Sequence, residues 1–351
     1  MKRPDLAVLT RYAHLWLPGY LKSQIARRGM QAPKRVWLTL ADHYEPWCQH
    51  AGEALAQNRV RAWRDRWPRI AERHQDSAGR LPKYTFFYAE EEYTAEFLDA
   101  LAEMTQMGIA DVEVHLHHDG EGEQNFVERI GGFIETLHRR HGLLRQHDGR
   151  LTFGFIHGNW SLDNSGPRCG LNNELLLLKQ LGCYADFTFP AAHHPAQPRL
   201  VNTIYWATDD PCRPKSYDTG VPLVPGDEFE GDLLMVPGPL ALNWRGGRVM
   251  PRIEVGELAA HNPVTSRRVG LWLDAAPRIG ADVFVKLYAH GAREDNAAAL
   301  LGRDLDFTFT ELERLSVERG FELRYTSAWE MRQAIEAVRS TGNQVEMEVA
   351  V

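Results

Sequence analysis

The chain has 351 residues, 44% of them hydrophobic, and a formal net charge of −7. The acidic balance and the lack of any Lys/Arg-rich run argue against a nucleic-acid surface, while the hydrophobic content suffices for a large core. No uncharged apolar stretch reaches the roughly 18 residues that a membrane span needs.

Residues 1–34 read as an N-terminal extension of one domain that covers the whole chain. Asp5, Arg11 and His14 break its apolar character and no small-residue cleavage site follows, so a secretory signal is not expected and a cytoplasmic location is. The segment could still touch a membrane peripherally. Arg35–Leu40 reads as a buried strand that empties into Asp42-His43-Tyr44-Glu45. A helix over Glu53–Arg66 follows, with Pro68 ending or kinking it. The segment Arg61–Arg73 holds Arg and Trp, but Asp65 and Glu72 interrupt it and it reads as a solvated helix face. Next come a strand at Tyr84–Tyr88, a helix at Thr94–Met107 and a strand at Val112–Leu116. After a helix at Glu123–His141, the strand Leu151–Ile156 runs into His157-Gly158-Asn159-Trp160, and the helix Asn173–Leu181 leads to the strand Ala185–Phe189. Such alternation marks βα units and a parallel sheet.

Residues 190–265 are rich in Pro and Gly, with Gly246 and Gly247 among the turn formers, yet hold enough Trp, Tyr, Leu and Val to fold. They are expected to form an irregular, partly β insertion over the mouth of the sheet, with short strands near Thr203–Trp206 and Leu233–Val236. The alternation resumes with a helix at Ser266–Ala276 and a strand at Asp282–Leu287 that leads to His290. A helix at Thr310–Arg319, a strand at Phe321–Tyr325 and a last helix at Ala328–Arg339, capped by Thr326 or Ser327, precede a short polar tail, Gly342–Val351. Cys48, Cys169, Cys183 and Cys212 show no CxxC spacing and read as free thiols of a reducing compartment.

The most informative segment is VEVHLHHDG, Val112–Gly120. His115 and His117 are two apart on a strand, so they share a face and can converge on one ion, and His118 could reach it from the turn. Imidazole is the commonest protein ligand of transition metals. Four strand-like runs, far apart in sequence, each deliver a histidine at the same end: His43, His115, His157 and His290. One sheet or barrel would gather them at the C-terminal ends of its strands, where such folds bind ligands.

These residues resemble the polysaccharide deacetylase (NodB-homology) superfamily, in a divergent branch met near polysaccharide synthesis. LTLADHYEP (Leu38–Pro46) looks like its first motif, VEVHLHHDG its second, FGFIHGNW (Phe153–Trp160) its third and VKLYAHG (Val285–Gly291) its last, and GFELRYTSAWEM (Gly320–Met331) matches the final strand and helix. The resemblance implies an α/β fold, a distorted seven-stranded (β/α) barrel, and a carbohydrate substrate from which a divalent metal helps remove acetyl groups. Zinc is the first choice of metal, with manganese, nickel or cobalt as alternatives. The chain departs from the usual pattern in two places. The aspartate pair is either Ala41-Asp42, with Asp42 a ligand and the base missing, or Asp42-His43, with Asp42 the base and His43 a ligand. The second motif's histidines stand two or three apart rather than four.

The implied ligands are drawn from Asp42, His43, His115, His117 and His118. Glu45 could serve as ligand or base, and His290 as general acid. His157, Asn159 and Trp160 are expected to hold the sugar or the oxyanion, with Asp186 beside them. Two other readings stand: a metal-free glycosidase that uses Asp42 or Glu45 with Asp186, and a carbohydrate-binding protein without activity.

Overall fold

The computed structural model describes residues 11–244 and 251–341. Gly246, Gly247 and the tail at 342–351 lie outside them, as does the start of the N-terminal segment. Eight strands carry the fold: β1 (Arg35–Tyr44), β2 (Tyr84–Ala89), β3 (Ala110–Leu116), β4 (Arg150–His157), β5 (Cys183–Asp186), β6 (Leu233–Met235), β7 (Asp282–Ala289) and β8 (Glu322–Tyr325). They pair in parallel in the order β7-β1-β2-β3-β4-β5-β6, with β8 beside the first half of β1. Five short strands at Arg145–His147, Tyr205–Ala207, Val221–Pro222, Glu257–Leu258 and Arg278–Ile279 extend this to a 13-stranded sheet. The fold is therefore mixed α/β with a mostly parallel sheet.

The ladders by themselves do not close the expected seven-stranded barrel. Their order has two ends, and no ladder among the described residues joins β6 to β7. Instead the buried Lys286 of β7 donates from Nζ to the carbonyls of Phe187 and Phe189, at 2.7 Å each, just beyond β5. The lysine thus ties the two arms of the curled sheet.

The helices are α1 (Ala13–Arg27), α2 (Glu53–Ala71), α3 (Ala95–Gln106), α4 (Glu123–His141), α5 (Glu174–Leu181), α6 (Ser266–Ala275), α7 (Glu294–Ala299), α8 (Leu305–Arg319) and α9 (Ala328–Thr341). Strand alternation sorts the core into two sides. Leu38, Leu40, Phe86, Val112, Val114 and Phe155 pack with helix residues such as Trp63, Leu98, Ile130 and Phe309. Trp37, Ala41, Phe87, Ile156 and Phe284 instead form the inner cluster, closed from below by Met331 and Ile335 of α9. Ser327 and Glu330 start α9 with a reciprocal cap, Ser327 N to Glu330 Oε2 at 2.8 Å and Glu330 N to Ser327 Oγ at 3.4 Å.

Pro68 does not end α2, which runs on to Ala71. Trp63, Trp67 and Ile70 are buried on one face and hold the helix to the sheet, while Arg64, whose carbonyl the proline leaves without a helical partner, is exposed to water. Burying one such aromatic is worth about 1.5–3 kcal/mol, enough to offset one lost hydrogen bond. The 190–265 segment holds several of the short strands, and its Pro190–His194 and Val255–His261 stretches reach the C-terminal ends of the parallel strands.

Candidate metal centre

His43 and Glu45 are two apart at the end of β1, as are His115 and His117 at the end of β3, and Tyr288 and His290 at the end of β7. Each pair therefore looks to one side of its strand, and the register brings them together. β3 and β7 both run parallel to neighbours of β1 or to β1 itself. Donor atoms of His43, Glu45 and His115 lie within 4.8 Å of one another. The His43 ring stands 5.1 Å from His115 and 4.8 Å from His290, centroid to centroid.

The hydrogen-bond roles in this group bear on what it could hold. His115 Nδ1 lies 3.1 Å from the Ile156 carbonyl, which only accepts, so Nδ1 carries the proton. In a neutral ring Nε2 is then a bare lone pair, yet it faces Glu45 Oε1 at 3.1 Å. His117 repeats the arrangement: Nδ1 is bonded to the Glu91 carboxylate, and Nε2 looks toward the same Glu45 oxygen at 3.6 Å. Two lone pairs and a carboxylate oxygen meeting at one point require a cation, either protons or a metal. Outer nitrogens fixed by a carbonyl and a carboxylate are the supports that metal-binding histidines use. The donor set, imidazole nitrogens with one carboxylate, suits zinc and its neighbours.

The electrostatics agree. Burial alone would raise Glu45, but contact with His115 and the charges of His115, His117 and His290 take it down to about 2. Burial and the surrounding His290 and His115 hold His43 well below the usual imidazole range. Burial also lowers His290, against the pull of Glu45 and Glu257. His117 is raised: burial opposes its charged form, but the bond to Glu91 wins.

Glu91 is one residue that strand-end reasoning missed. It lies in the single helical turn Glu90–Glu92 that follows β2, and that run of three glutamates was the signal. Gly158 is another. A Cβ there would sit 2.4–2.6 Å from the His117 ring, so only glycine lets His117 lie over that turn.

Asp42, expected as ligand or base, lies apart from this group. Neighbours on a strand face opposite sides, and its Oδ1 accepts the Gly291 amide at 2.7 Å on the helix-covered side, near Tyr84 and Trp63. Burial pushes its carboxyl up to about 7. The same alternation separates His118 from His115 and His117. His118 is instead buried beside Glu174, Nε2 to Oε1 at 3.1 Å, with the His157 ring 4.5 Å away.

His157 thus belongs to that second group rather than to a sugar site. Asn159 spends its amide side chain on the His118 carbonyl at 3.2 Å. Asp186 is buried and committed to Thr188, accepting from its amide at 3.0 Å and its hydroxyl at 2.6 Å. Of the expected sugar contacts, Trp160 does line the cavity of about 420 Å³ that opens beside His290. Its other walls include Tyr288, His194, Glu257, Arg293 and Asn296. All four cysteines are free.

No helix among the described residues is long and apolar enough to cross a membrane. No protein-family model matches the sequence, and no curated protein matches it. Among solved structures, the crystal structure of 4-alpha-glucanotransferase from Thermococcus litoralis is similar at a TM-score of 0.43 and 10% identity, over 85% of this chain and 38% of that one. The chain spans well under half of that enzyme, and a likeness at this level fixes neither fold nor activity.

Proposed function

We propose that the chain is a metal-dependent hydrolase that removes an acetyl group from an N-acetylated sugar or polysaccharide precursor, at the end of a sheet curled into a distorted barrel. The observation that carries this reading is the meeting of the His115 and His117 Nε2 atoms on Glu45 Oε1, with both outer nitrogens already engaged. His43, Glu45 and His115 are the ligands, and His117, held by Glu91, stands beside them.

A bound divalent ion would polarise the amide carbonyl and bring the pKa of its water to about 7 in favourable cases. His290, kept neutral by burial, sits where the cavity meets His43 and is set to take the attacking water's proton and pass it to the leaving amine. Trp160 and Tyr288 offer aromatic walls to a sugar ring, and a volume of about 420 Å³ admits one or two rings. Asp42 acts at one remove, holding the Gly291 amide and with it the turn that carries His290. The metal-free glycosidase alternative needs a facing pair of carboxylates, and Asp42 and Asp186 are both committed elsewhere.

The test is acetate release from N-acetylated oligosaccharides by protein loaded in turn with zinc, manganese, nickel and cobalt. Metal-dependent release that chelator abolishes supports the reading. Fully loaded protein that binds these sugars and frees no acetate overturns it.

A further inference from the structure

On the helix-covered side of the sheet, four donors converge from four separate places: His118 after β3, His157 at the end of β4, Cys169 in the following loop and Glu174 at the start of α5. One donor atom from each lies within 4.8 Å of the others, and all four residues are buried. The measured separations are 3.1 Å from His118 Nε2 and 3.9 Å from His157 Nε2 to Glu174 Oε1, and 3.3 Å from Cys169 Sγ to Glu174 Oε2. Donors held at 2.0–2.3 Å around a tetrahedral zinc ion stand about 3.3–3.7 Å apart, so the cluster is already near that size.

Its internal hydrogen bonds leave it incomplete. His157 Nε2 is fully buried, points into the cluster and has no hydrogen-bond partner. The Asn164 amide donates to the Cys169 sulfur at 3.2 Å, and the thiol itself donates to Glu174 Oε2 at 3.3 Å, so a bound ion would take the place of that proton between sulfur and carboxylate. The Asp163 amide donates to Glu174 Oε2 at 2.6 Å, fixing the carboxylate. The Gly120 amide bonds the Cys169 carbonyl at 2.7 Å and locks the loop to the turn that carries His118.

We propose that His118, His157, Cys169 and Glu174 form a second metal centre, a closed structural site for zinc or a zinc-like divalent ion. Four protein ligands leave no open position, which marks a structural rather than a hydrolytic site, and the thiolate selects against magnesium and calcium. Occupancy puts a proton on His157 Nδ1, which now accepts the Asn159 amide at 3.1 Å. That neutral hydrogen bond is given up, a small loss beside four coordinate bonds. The ion pins the 157–174 segment, and with it Gly158 under His117 and Trp160 on the cavity wall, so it sets the shape of the first centre without touching it. The assignment stands whether or not the chain is a hydrolase.

Cobalt substitution tests it, because the first centre contains no cysteine. Full-length wild-type protein and the His43→Ala/His115→Ala variant, both cobalt-loaded, are expected to show a near-ultraviolet thiolate-to-cobalt charge-transfer band, and Cys169→Ser to lack it. Equilibrium dialysis with zinc alone keeps the test open should Cys169→Ser fail to fold: the His43→Ala/His115→Ala variant should still retain one tightly held equivalent. Cobalt bound with no thiolate band, a band that survives Cys169→Ser, or no zinc retained by the double variant would each overturn the second centre. Acetate release bears only on the first.

Discussion

Asp42 and His43 are adjacent in sequence and serve opposite sides of β1. Asp42 accepts the Gly291 amide at 2.7 Å beneath the helices, while the His43 ring stands 4.8 Å from His290 on the inner side. The two residues thus bear on one site from two directions, His43 as a proposed ligand and Asp42 through the turn after β7.

Replacing Asp42 by Ala should therefore leave metal content unchanged. It strands the buried Gly291 amide, and stability should fall by about 1–3 kcal/mol, with catalysis lowered through a misplaced His290. Thermal melts beside metal analysis check this. Loss of the metal at the first centre in a folded Asp42→Ala protein would return Asp42 to the ligand set.

Gly158→Ala places a methyl group 2.4–2.6 Å from the His117 ring. The ring must move off Glu45, and affinity for the first metal should drop while the chain stays folded. Glu91→Gln removes the carboxylate that orients the same ring from Nδ1 and, because His117 stands beside the ligands and faces Glu45, should weaken the metal by about 10-fold, the low end for a residue that supports a ligand from outside. Titration with a competing chelator reads both effects, and unchanged affinity in both variants would exclude His117 from the centre.

His290→Gln should keep the metal and lose about 10²–10⁴-fold in kcat, the usual worth of a positioned proton carrier. A loss of metal instead would make His290 a ligand.

His74 gives a pH test away from the metal. Burial works against its cation, but Glu313 at 3.2 Å and Asp306 at 3.1 Å outweigh it and its pKa is raised. A raised folded pKa adds stability in full below the unfolded value of about 6.5 and loses it as pH rises through the folded value. The melting temperature of wild type should exceed that of His74→Gln at about pH 5.5, and the gap should narrow by about pH 8.5. A gap that does not change with pH would contradict the ion-pair role.

Much of the layout was legible in the sequence because period and punctuation agree. The helix over Glu123–His141 appears at those bounds, and the strands leading to His43, His115, His157 and His290 all form. Which face each histidine takes was harder to read. Alternation pairs His115 with His117 and sends His118 to the other side, but His157 could be placed only once the phase of β4 was known. Cys169 and Glu174 carried no spacing signal, since they lie 51 and 56 positions after His118. The carboxylates of Asp42 and Asp186 looked chemical in sequence, and burial turned both to structural use. The tie between the two arms of the sheet is made by the buried Lys286 reaching two carbonyls, a contact that no local pattern encodes.

The proposed first centre rests on His43, Glu45 and His115 holding a divalent metal. Elemental analysis of wild type and of His43→Ala/His115→Ala, both purified without chelator, tests it most directly. The variant is expected to contain one divalent ion per chain fewer than wild type. Equal metal content in the two proteins, after soaking with zinc, manganese or nickel, would contradict it.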